Sequence, residues 1–423
     1  MMDLRPAGKI VTAMVLAASF TFGQTPATSD ETVRALREQI QLLETRIQAL
    51  ENGAKSKPEA VATRSDAPLA APANLEHSSA TMLMQEEVAS AEPAFKIRGF
   101  GEMRFLPRSG DTPSRFGRGQ LDLFMTSRLS EHLSALVETV FESDLGGEGG
   151  FDLERAALNW RANRFLNAEV GRYHTGIGYY NTSFHHGVYF QTAVDRPLLF
   201  GFEDEGGLLP IHNVGLSLTG NVPSGPLGLH YRVELSNGRS YASPHDGNAA
   251  RPEENSDGKA SSNALNTRFW LTPDAWQGLQ VGGSFYRDKF LQQNTPTQQH
   301  IYAGHIVYIR NRVEFLNEVV WMRHSRTQNQ GKSAQTSIPG FYSQFSYGIG
   351  GWRPYFRYES LNPSMADPVA QSIMDSPGWL RKTSAGLRYD IGPFAAVKLQ
   401  VDRLTRECLD PAHQVTIQLA FAF

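Results

Sequence analysis

QVTIQLAFAF, residues 414–423, alternates between large apolar side chains and small or polar ones. Because successive side chains of a β-strand point to opposite faces, this stretch is predicted to form a strand with one apolar and one polar face. The apolar face consists of Val415, Ile417, Leu419, Phe421 and Phe423. Such a strand fits the wall of a transmembrane β-barrel, where one face meets lipid and the other meets water. A strand in a soluble β-sandwich is the alternative.

Strand-like runs of about ten residues recur upstream of this stretch, and turn residues separate them. We predict sixteen strands, which begin at Phe95, Arg115, Leu133, Phe151, Leu166, Asn213, Gly228, Asn263, Gly278, Gln298, Arg312, Ser333, Trp352, Leu380, Phe394 and Gln414. Charged residues alternate with apolar ones in several of these runs, for example in 352–359. A charged face is costly in a dry core, but it suits a water-filled lumen.

The connections between these runs follow an odd–even rule. After even-numbered strands they are short, whereas after odd-numbered strands they are often long. The long ones span residues 182–212, 240–262, 326–333 and 361–378. Transmembrane barrels have short periplasmic turns, longer external loops and an even strand count. Residues 95–423 are therefore predicted to form an all-β, sixteen-stranded antiparallel transmembrane β-barrel, which is wide enough to hold an aqueous channel.

The first residues have the pattern of an export signal. Arg5 and Lys9 form a positive region, and residues 10–22 form an apolar segment that is too short to span a bilayer. We predict a signal peptide over residues 1–23, with a buried N-terminal helix as the alternative. Export and a barrel together predict the outer membrane of a Gram-negative-type bacterium, with outer-membrane lipid as an immediate partner.

Residues 30–52 carry the clearest helical periodicity. Their apolar residues are spaced three and four apart, which is the a/d seam of a coiled coil. They are Val33, Leu36, Ile40, Leu43, Ile47 and Leu50. We predict a periplasmic coiled-coil helix over 30–52, with a helix packed on its own barrel as the alternative. Residues 53–94 are rich in Ala, Pro, Ser, Glu and Lys without a period, which predicts a flexible linker.

Composition argues against several classes of function. The net charge is −3, so no basic surface favours nucleic acid as a partner. Cys408 is the one cysteine of the chain, which excludes a disulfide framework and a multi-cysteine metal site. No spacing of Ser, His and Asp marks a nucleophile with its base, so we predict no enzyme, no catalytic residue and no cofactor. A metal site of His174, His185 and His186 is a weaker alternative, because a histidine pair in a loop is more often solvated.

The connection at 182–212 is the longest and is rich in aromatic residues, including Phe184, Phe190, Phe200 and Phe202. An aromatic-rich loop exposed to water would favour aggregation, whereas a loop folded inward could pack on the wall and narrow the lumen. We predict that acids of this loop then face bases of the wall and form a polar constriction that sets selectivity. Its residues are Asp195, Arg196, Glu203, Asp204 and Glu205, together with Arg98, Arg155, Arg353, Arg357 and Arg388. The alternative places these acids at the outer rim, where they bind nothing.

The alternating strand that ends in Phe421 and Phe423 resembles the final strand of bacterial outer-membrane proteins. In those families this end is read by the barrel-assembly machinery, so the resemblance implies the same role for these two residues. The barrel at 95–423, together with an accessory helix at 30–51, loosely resembles the phosphate-selective porin family. In general porins the third external loop folds into the pore, and the connection at 182–212 is the third external loop.

The resemblance implies a homotrimeric porin, a water-filled channel for passive diffusion of small hydrophilic solutes or ions. Phosphate-selective members use clusters of Arg and Lys in the pore, whereas residues 182–212 contain one Arg, no Lys and four acids. That departure argues against phosphate selectivity. The alternative function is structural: a barrel whose coiled coil tethers the outer membrane to the cell wall, with peptidoglycan as a partner, or to a surface layer.

Overall fold

The computed structural model describes residues 94–107, 113–117, 119–143, 150–184, 188–201, 207–241, 252–253, 263–292, 295–327, 333–373 and 378–423. The predicted signal peptide, the predicted coiled coil and all of the predicted linker except its last residue lie outside the described residues. The described part of the chain contains no helix that is long and apolar enough to cross a membrane.

In the described part of the chain, sixteen strands form one closed antiparallel sheet. They are β1 (Ala94–Leu106), β2 (Gly119–Arg128), β3 (Leu133–Ser143), β4 (Gly150–Asn163), β5 (Leu166–His174), β6 (His212–Val222), β7 (Leu229–Asn237), β8 (Asn263–Leu271), β9 (Leu279–Gln292), β10 (Thr295–Arg310), β11 (Val313–Thr327), β12 (Ser333–Tyr347), β13 (Trp352–Leu361), β14 (Leu380–Gly392), β15 (Ala395–Arg406) and β16 (Leu409–Ala422). Each strand pairs with its neighbours in sequence, and β16 pairs with β1. The sheet therefore has no open edge. This confirms the predicted all-β, sixteen-stranded antiparallel barrel.

Two strand boundaries differ from the prediction by more than a few residues. The second strand begins at Gly119 rather than Arg115, because Arg115–Phe116 forms a separate short strand that pairs with the end of β1. The last strand begins at Leu409 rather than Gln414, since its first residues continue the pairing with β15. That extension contains Pro411, which lowers strand propensity and hides the strand in the sequence.

The two ends of the barrel carry different connections. The connections after even-numbered strands are short, and they define the turn end: 129–132, 164–165, 223–228, 272–278, 311–312, 348–351 and 393–394. The opposite end, the loop end, carries the connections 107–118, 144–149, 175–211, 238–262, 293–294, 328–332, 362–379 and 407–408. The odd–even rule holds for the longest connections, 107–118, 175–211, 238–262 and 362–379, which all lie at the loop end. The other connections at the loop end are no longer than those at the turn end. The predicted loop at 182–212 spans 175–211, because β5 ends at His174.

Side chains alternate across the wall as the sequence predicts. On β16, Val415 and Ile417 are exposed on the outer face, whereas Thr416 and Gln418 are buried on the inner face. On β13, by the same alternation, Trp352 and Phe356 are exposed, and Arg357 and Glu359 are buried. Charged side chains therefore point into the barrel and large apolar ones point outward.

Aromatic rings on the last strand cover glycines on the first. Gly99 donates to and accepts from the backbone of Phe423 at 2.9 Å, and Gly101 is the register partner of Phe421. The rings of Phe423 and Phe421 occupy the space that a Cβ on Gly99 or Gly101 would need. Glycine in a strand leaves backbone bare, and a cross-strand aromatic side chain covers it. These four residues form the closure seam of the barrel.

Candidate functional site

The connection at 175–211, called the inner loop from here on, lies against the inward face of the wall. Residues 185–187 and 202–206 of this loop are outside the described part of the chain. Its aromatic and aliphatic side chains are buried among inward-facing side chains of the wall. Tyr180 stacks on Phe200 with ring centroids 5.5 Å apart, and both meet the ring of Tyr342 on β12 edge-on. Burial of this apolar surface favours the inward conformation.

Three buried wall carboxylates accept hydrogen bonds from backbone N–H groups of the inner loop. The pairs are Glu234 with Gly176 (3.0 Å), Glu318 with Tyr179 (2.5 Å) and Tyr180 (2.9 Å), and Glu359 with Leu198 (2.5 Å). A buried N–H group needs a partner, and a carboxylate is a strong acceptor. These acids therefore hold the backbone of the loop.

Three wall bases donate hydrogen bonds to backbone carbonyl groups of the same loop. The pairs are Lys398 with Val188 and Ala193 (3.2 Å to the latter), Arg388 with Tyr189 (2.5 Å) and Gln191 (3.0 Å), and Arg357 with Asp195 (2.7 Å) and Arg196 (3.4 Å). Arg357 also donates to Glu359 at 2.8 Å, so the two buried charges compensate each other. Wall charges of both signs thus fix the loop through its backbone.

The tip of the inner loop reaches the turn end of the barrel. The Tyr189 hydroxyl donates to the carbonyl oxygen of Pro393, in the turn between β14 and β15, at 2.7 Å. The ring of Phe190 meets Phe100 of β1 edge-on, with centroids 5.0 Å apart. The loop therefore starts at the loop end, between β5 and β6, and extends through the barrel to the opposite end.

Asp195 is the charged residue of the inner loop with the most ionic partners among the described residues. Its carboxylate accepts hydrogen bonds from Arg104 at 3.1 Å and from Lys382 at 3.0 Å, and it also accepts one from Gln400 at 3.1 Å. Burial alone would raise the pKa of Asp195, but the ammonium of Lys382 and the guanidinium of Arg104 outweigh it and lower the pKa to about 2. The side chains of Arg104 and Asp195 are 30% and 24% exposed, so this charged cluster borders solvent.

The seven described residues of the predicted constriction fall into two groups. Asp195, Arg196, Arg357 and Arg388 come together at the inner loop, where Arg196 donates to the Phe200 carbonyl at 2.6 Å. The others lie elsewhere: Arg155 pairs with Glu138 across β3 and β4, Arg353 donates to Ser346 (3.2 Å) and to the Arg312 carbonyl near the turn end, and Arg98 is half-buried on β1. Glu203, Asp204 and Glu205 lie outside the described residues.

The prediction missed Arg104, Lys382 and Lys398, which also hold the loop. The alternation of 395–402 does place Lys398 on the inward face. The hydrogen bond from Lys398 to the carbonyl oxygen of Val188, however, depends on the path of the inner loop through the closed barrel.

The alternative of a metal site has no support among the described residues, in which no group of three or more His, Cys, Asp or Glu side chains could hold a metal ion. His174 lies 3.6 Å from the carboxylate of Glu138, and His212 lies 2.6 Å from that of Glu154. His185 and His186 lie outside the described residues.

The Asp195 contact should persist into acid. Because the folded state lowers this pKa below its value of about 3.9 in an unfolded chain, the contact stabilises fully above about pH 4 and is lost as pH falls toward 2. We expect Asp195→Asn to lower the free energy of unfolding by about 1 kcal/mol at pH 7 and by much less near pH 2. Urea unfolding of both proteins across this pH range measures the difference.

Asp274→Asn, in an exposed turn at the turn end, is the matched control. The difference in the free energy of unfolding between wild type and this variant should not decrease as the pH falls. If the difference in the free energy of unfolding between wild type and Asp195→Asn is the same at pH 2 as at pH 7, the ionic origin of the contact is contradicted.

Comparison with known proteins supports the fold. No protein-family model matches the chain, and no curated protein matches it by sequence. The outer membrane channel DcaP of Acinetobacter baumannii matches with a TM-score of 0.53 at 11% identity, over 79% of this chain and 99% of that chain. An anion-selective porin from Comamonas acidovorans matches with a TM-score of 0.53 at 14% identity, over 78% and 100%.

A third solved structure, OmpF of Salmonella typhi in complex with daunomycin, matches with a TM-score of 0.52 at 12% identity, over 78% of this chain and 97% of that chain. At these identities the likeness shows the fold, which is that of the porin-like outer-membrane channels. The sequence-based resemblance to bacterial porins is confirmed at this level. Two of the three structures are a channel and a porin by name.

Proposed function

We propose that this protein is an outer-membrane porin through which small hydrophilic solutes or ions diffuse passively, and that the inner loop narrows its channel. The observation that supports this most directly is the fixation of the inner loop inside the barrel by wall charges of both signs. Glu318 holds its start and Lys398 holds its tip. A loop that served only the outer rim would not need buried charges along the height of the wall.

The orientation follows from the connections. Transmembrane barrels keep short turns on the periplasmic side and longer loops outside, so the turn end faces the periplasm. The predicted coiled coil and linker would then precede β1 on the periplasmic side, once the predicted signal peptide is removed. We propose the outer membrane of a Gram-negative-type bacterium as the location.

Charged side chains that border solvent would set the ion preference. In the described part of the barrel, Arg98 and Arg104 of β1 point inward and are half-buried, and Asp195 faces Arg104. The sequence of the inner loop also contains three consecutive acids, Glu203, Asp204 and Glu205, which add negative charge to it. Charges of both signs therefore predict weak selectivity, with small ions of either sign passing.

Single-channel recording in a planar bilayer under a salt gradient tests the proposal. We expect discrete conductance steps, grouped in threes for the proposed homotrimer. Arg104→Gln should shift the reversal potential toward cations, and a combined Glu203→Gln, Asp204→Asn and Glu205→Gln variant should shift it toward anions. Heat-modifiable, correctly folded protein that conducts no ions would contradict the porin function.

A structural tether is the second candidate function, and it rests only on the coiled coil predicted over residues 30–52. Deleting this segment should leave the conductance unchanged and weaken co-sedimentation of the protein with peptidoglycan. Unchanged co-sedimentation would remove the tether.

A further inference from the structure

A row of three aromatic side chains crosses the outer face of β9, β10 and β11. Phe285 is the direct register partner of Tyr302, which is the partner of Trp321. The ring centroids lie 5.2 Å and 6.2 Å apart along the row. Tyr302 and Trp321 are exposed on the lipid-facing side of the wall. Aromatic rows of this kind mark the level at which the hydrocarbon core gives way to the headgroups.

A row of three basic side chains lies two residues nearer the loop end on the same strands. Arg287 is the register partner of His300, and His300 is the partner of Arg323. The alternation of the strands places this row on the outer face with the aromatic row. Lys289 follows Arg287 on that face. Four basic residues therefore cluster beside the aromatic row.

The aromatic rings position two of these bases. The imidazole of His300 stacks on Phe285 with an interplanar angle of 17° and a centroid distance of 6.0 Å. The guanidinium of Arg323 lies 5.5 Å from the ring centroid of Trp321, and it donates to Gln335 at 3.0 Å. Cation–π contact and a hydrogen bond give the guanidinium a defined orientation.

Arg287 and Arg323 carry positive charge on either side of His300, which makes this row unfavourable by itself. The described outward-facing residues of β8 to β12 include no Asp or Glu that could neutralise it, because Asp288, Glu314 and Glu318 of these strands all point inward and are buried. An external anion would remove the repulsion. On the lipid-facing surface of a barrel, the anions available at the headgroup level are lipid phosphates.

We propose that Arg287, His300 and Arg323, with Lys289 beside them, bind the phosphate groups of an anionic lipid in the outer leaflet. The aromatic row packs against the apolar part of the same lipid, and the bases donate charge-assisted hydrogen bonds to its phosphate oxygens. A lipid rather than free phosphate is the occupant, because the site combines exposed apolar rings with charge on a surface that faces the bilayer.

Native mass spectrometry of the full chain in neutral detergent, titrated with diphosphoryl lipid A, tests the site. We expect wild type to retain this lipid, and the double variant Arg287→Gln, Arg323→Gln to need about thirty times more lipid for half-occupancy, as expected for two lost charge contacts. Arg310→Gln is the matched control, because Arg310 is an exposed base of β10 at the turn end. It should leave half-occupancy unchanged.

Two further arms identify the ligand. Lipid A with its phosphates removed should not be retained, and inorganic phosphate at the same concentration should not displace lipid A. Equal retention by wild type and the double variant would overturn the site, and displacement by inorganic phosphate would overturn the lipid as its occupant. Should the double variant fold poorly, Arg287→Gln alone should still weaken retention by about fivefold. Conductance steps measured on the same samples test the porin function separately.

Discussion

Replacing Arg357 by methionine is expected to free the middle of the inner loop and to destabilise the barrel by about 3–5 kcal/mol. The guanidinium donates to the carbonyl oxygens of Asp195 and Arg196, and it neutralises the buried carboxylate of Glu359. Removing one partner of a buried ion pair leaves an uncompensated charge, which costs far more than the pair contributes. Urea unfolding measures the stability, and single-channel recording should show noisier current as the loop loses its attachment.

The double variant Arg357→Met, Glu359→Leu separates the two effects. Removing both charges should restore most of the stability, because no buried charge is left unpaired. The current noise should remain, because the double variant still lacks the hydrogen bonds from Arg357 to the inner loop. It also lacks the hydrogen bond that Glu359 accepts from the N–H group of Leu198. Arg353→Met, on the same face of the same strand but near the turn end, is the matched control. If the current through Arg357→Met is no noisier than that through wild type, the role of the Arg357 hydrogen bonds in fixing the inner loop is contradicted.

Replacing Phe421 and Phe423 together by alanine is expected to lower the amount of folded barrel in cells several-fold. The two rings cover Gly101 and Gly99 at the closure seam, so their loss exposes backbone where the first and last strands meet. Loss of two such contacts costs about 2 kcal/mol, and a loss of about 1–2 kcal/mol of stability lowers the abundance of a protein in cells several-fold through quality control. Heat-modified migration on gels measures the folded fraction.

Refolding the same variant from urea into detergent separates stability from recognition. A loss in cells with normal refolding would support the proposed role of these residues as a signal for the barrel-assembly machinery, whereas equal loss in both assays would assign the effect to the seam. Phe356→Ala, an outward-facing phenylalanine of β13 far from the seam, is the control. A normal folded fraction in both assays would contradict both roles of the two rings.

Much of the wall can be predicted from the sequence, because strand alternation and turn propensity are local properties. The alternation in 414–423 and 352–359 is enough to assign the outer and inner faces of β16 and β13. The strand count is correct for the same reason. The predicted strand starts at Arg115 and Gln414 are wrong, because a short extra strand in one case and a proline inside the strand in the other break the local rule.

The inner loop was only partly predictable. Arg357 and Arg388 were predicted to meet it, and both do, but through backbone carbonyl groups rather than acidic side chains. Lys382 and Arg104 were not predicted, although they bind the carboxylate of Asp195. Any inward-facing base satisfies the sequence pattern, so the pattern cannot distinguish those that reach the loop from those, such as Arg155, that pair within the wall.

The class of fold, the number of strands and the faces of the regularly alternating side chains follow from the sequence, because they depend on residues one or two positions apart. Which charges act together depends instead on the tertiary structure. Asp195 and Lys382 are 187 residues apart, and they meet because the barrel closes and the inner loop extends across its interior. Contacts of that kind depend on the path of the whole chain, which no local pattern specifies.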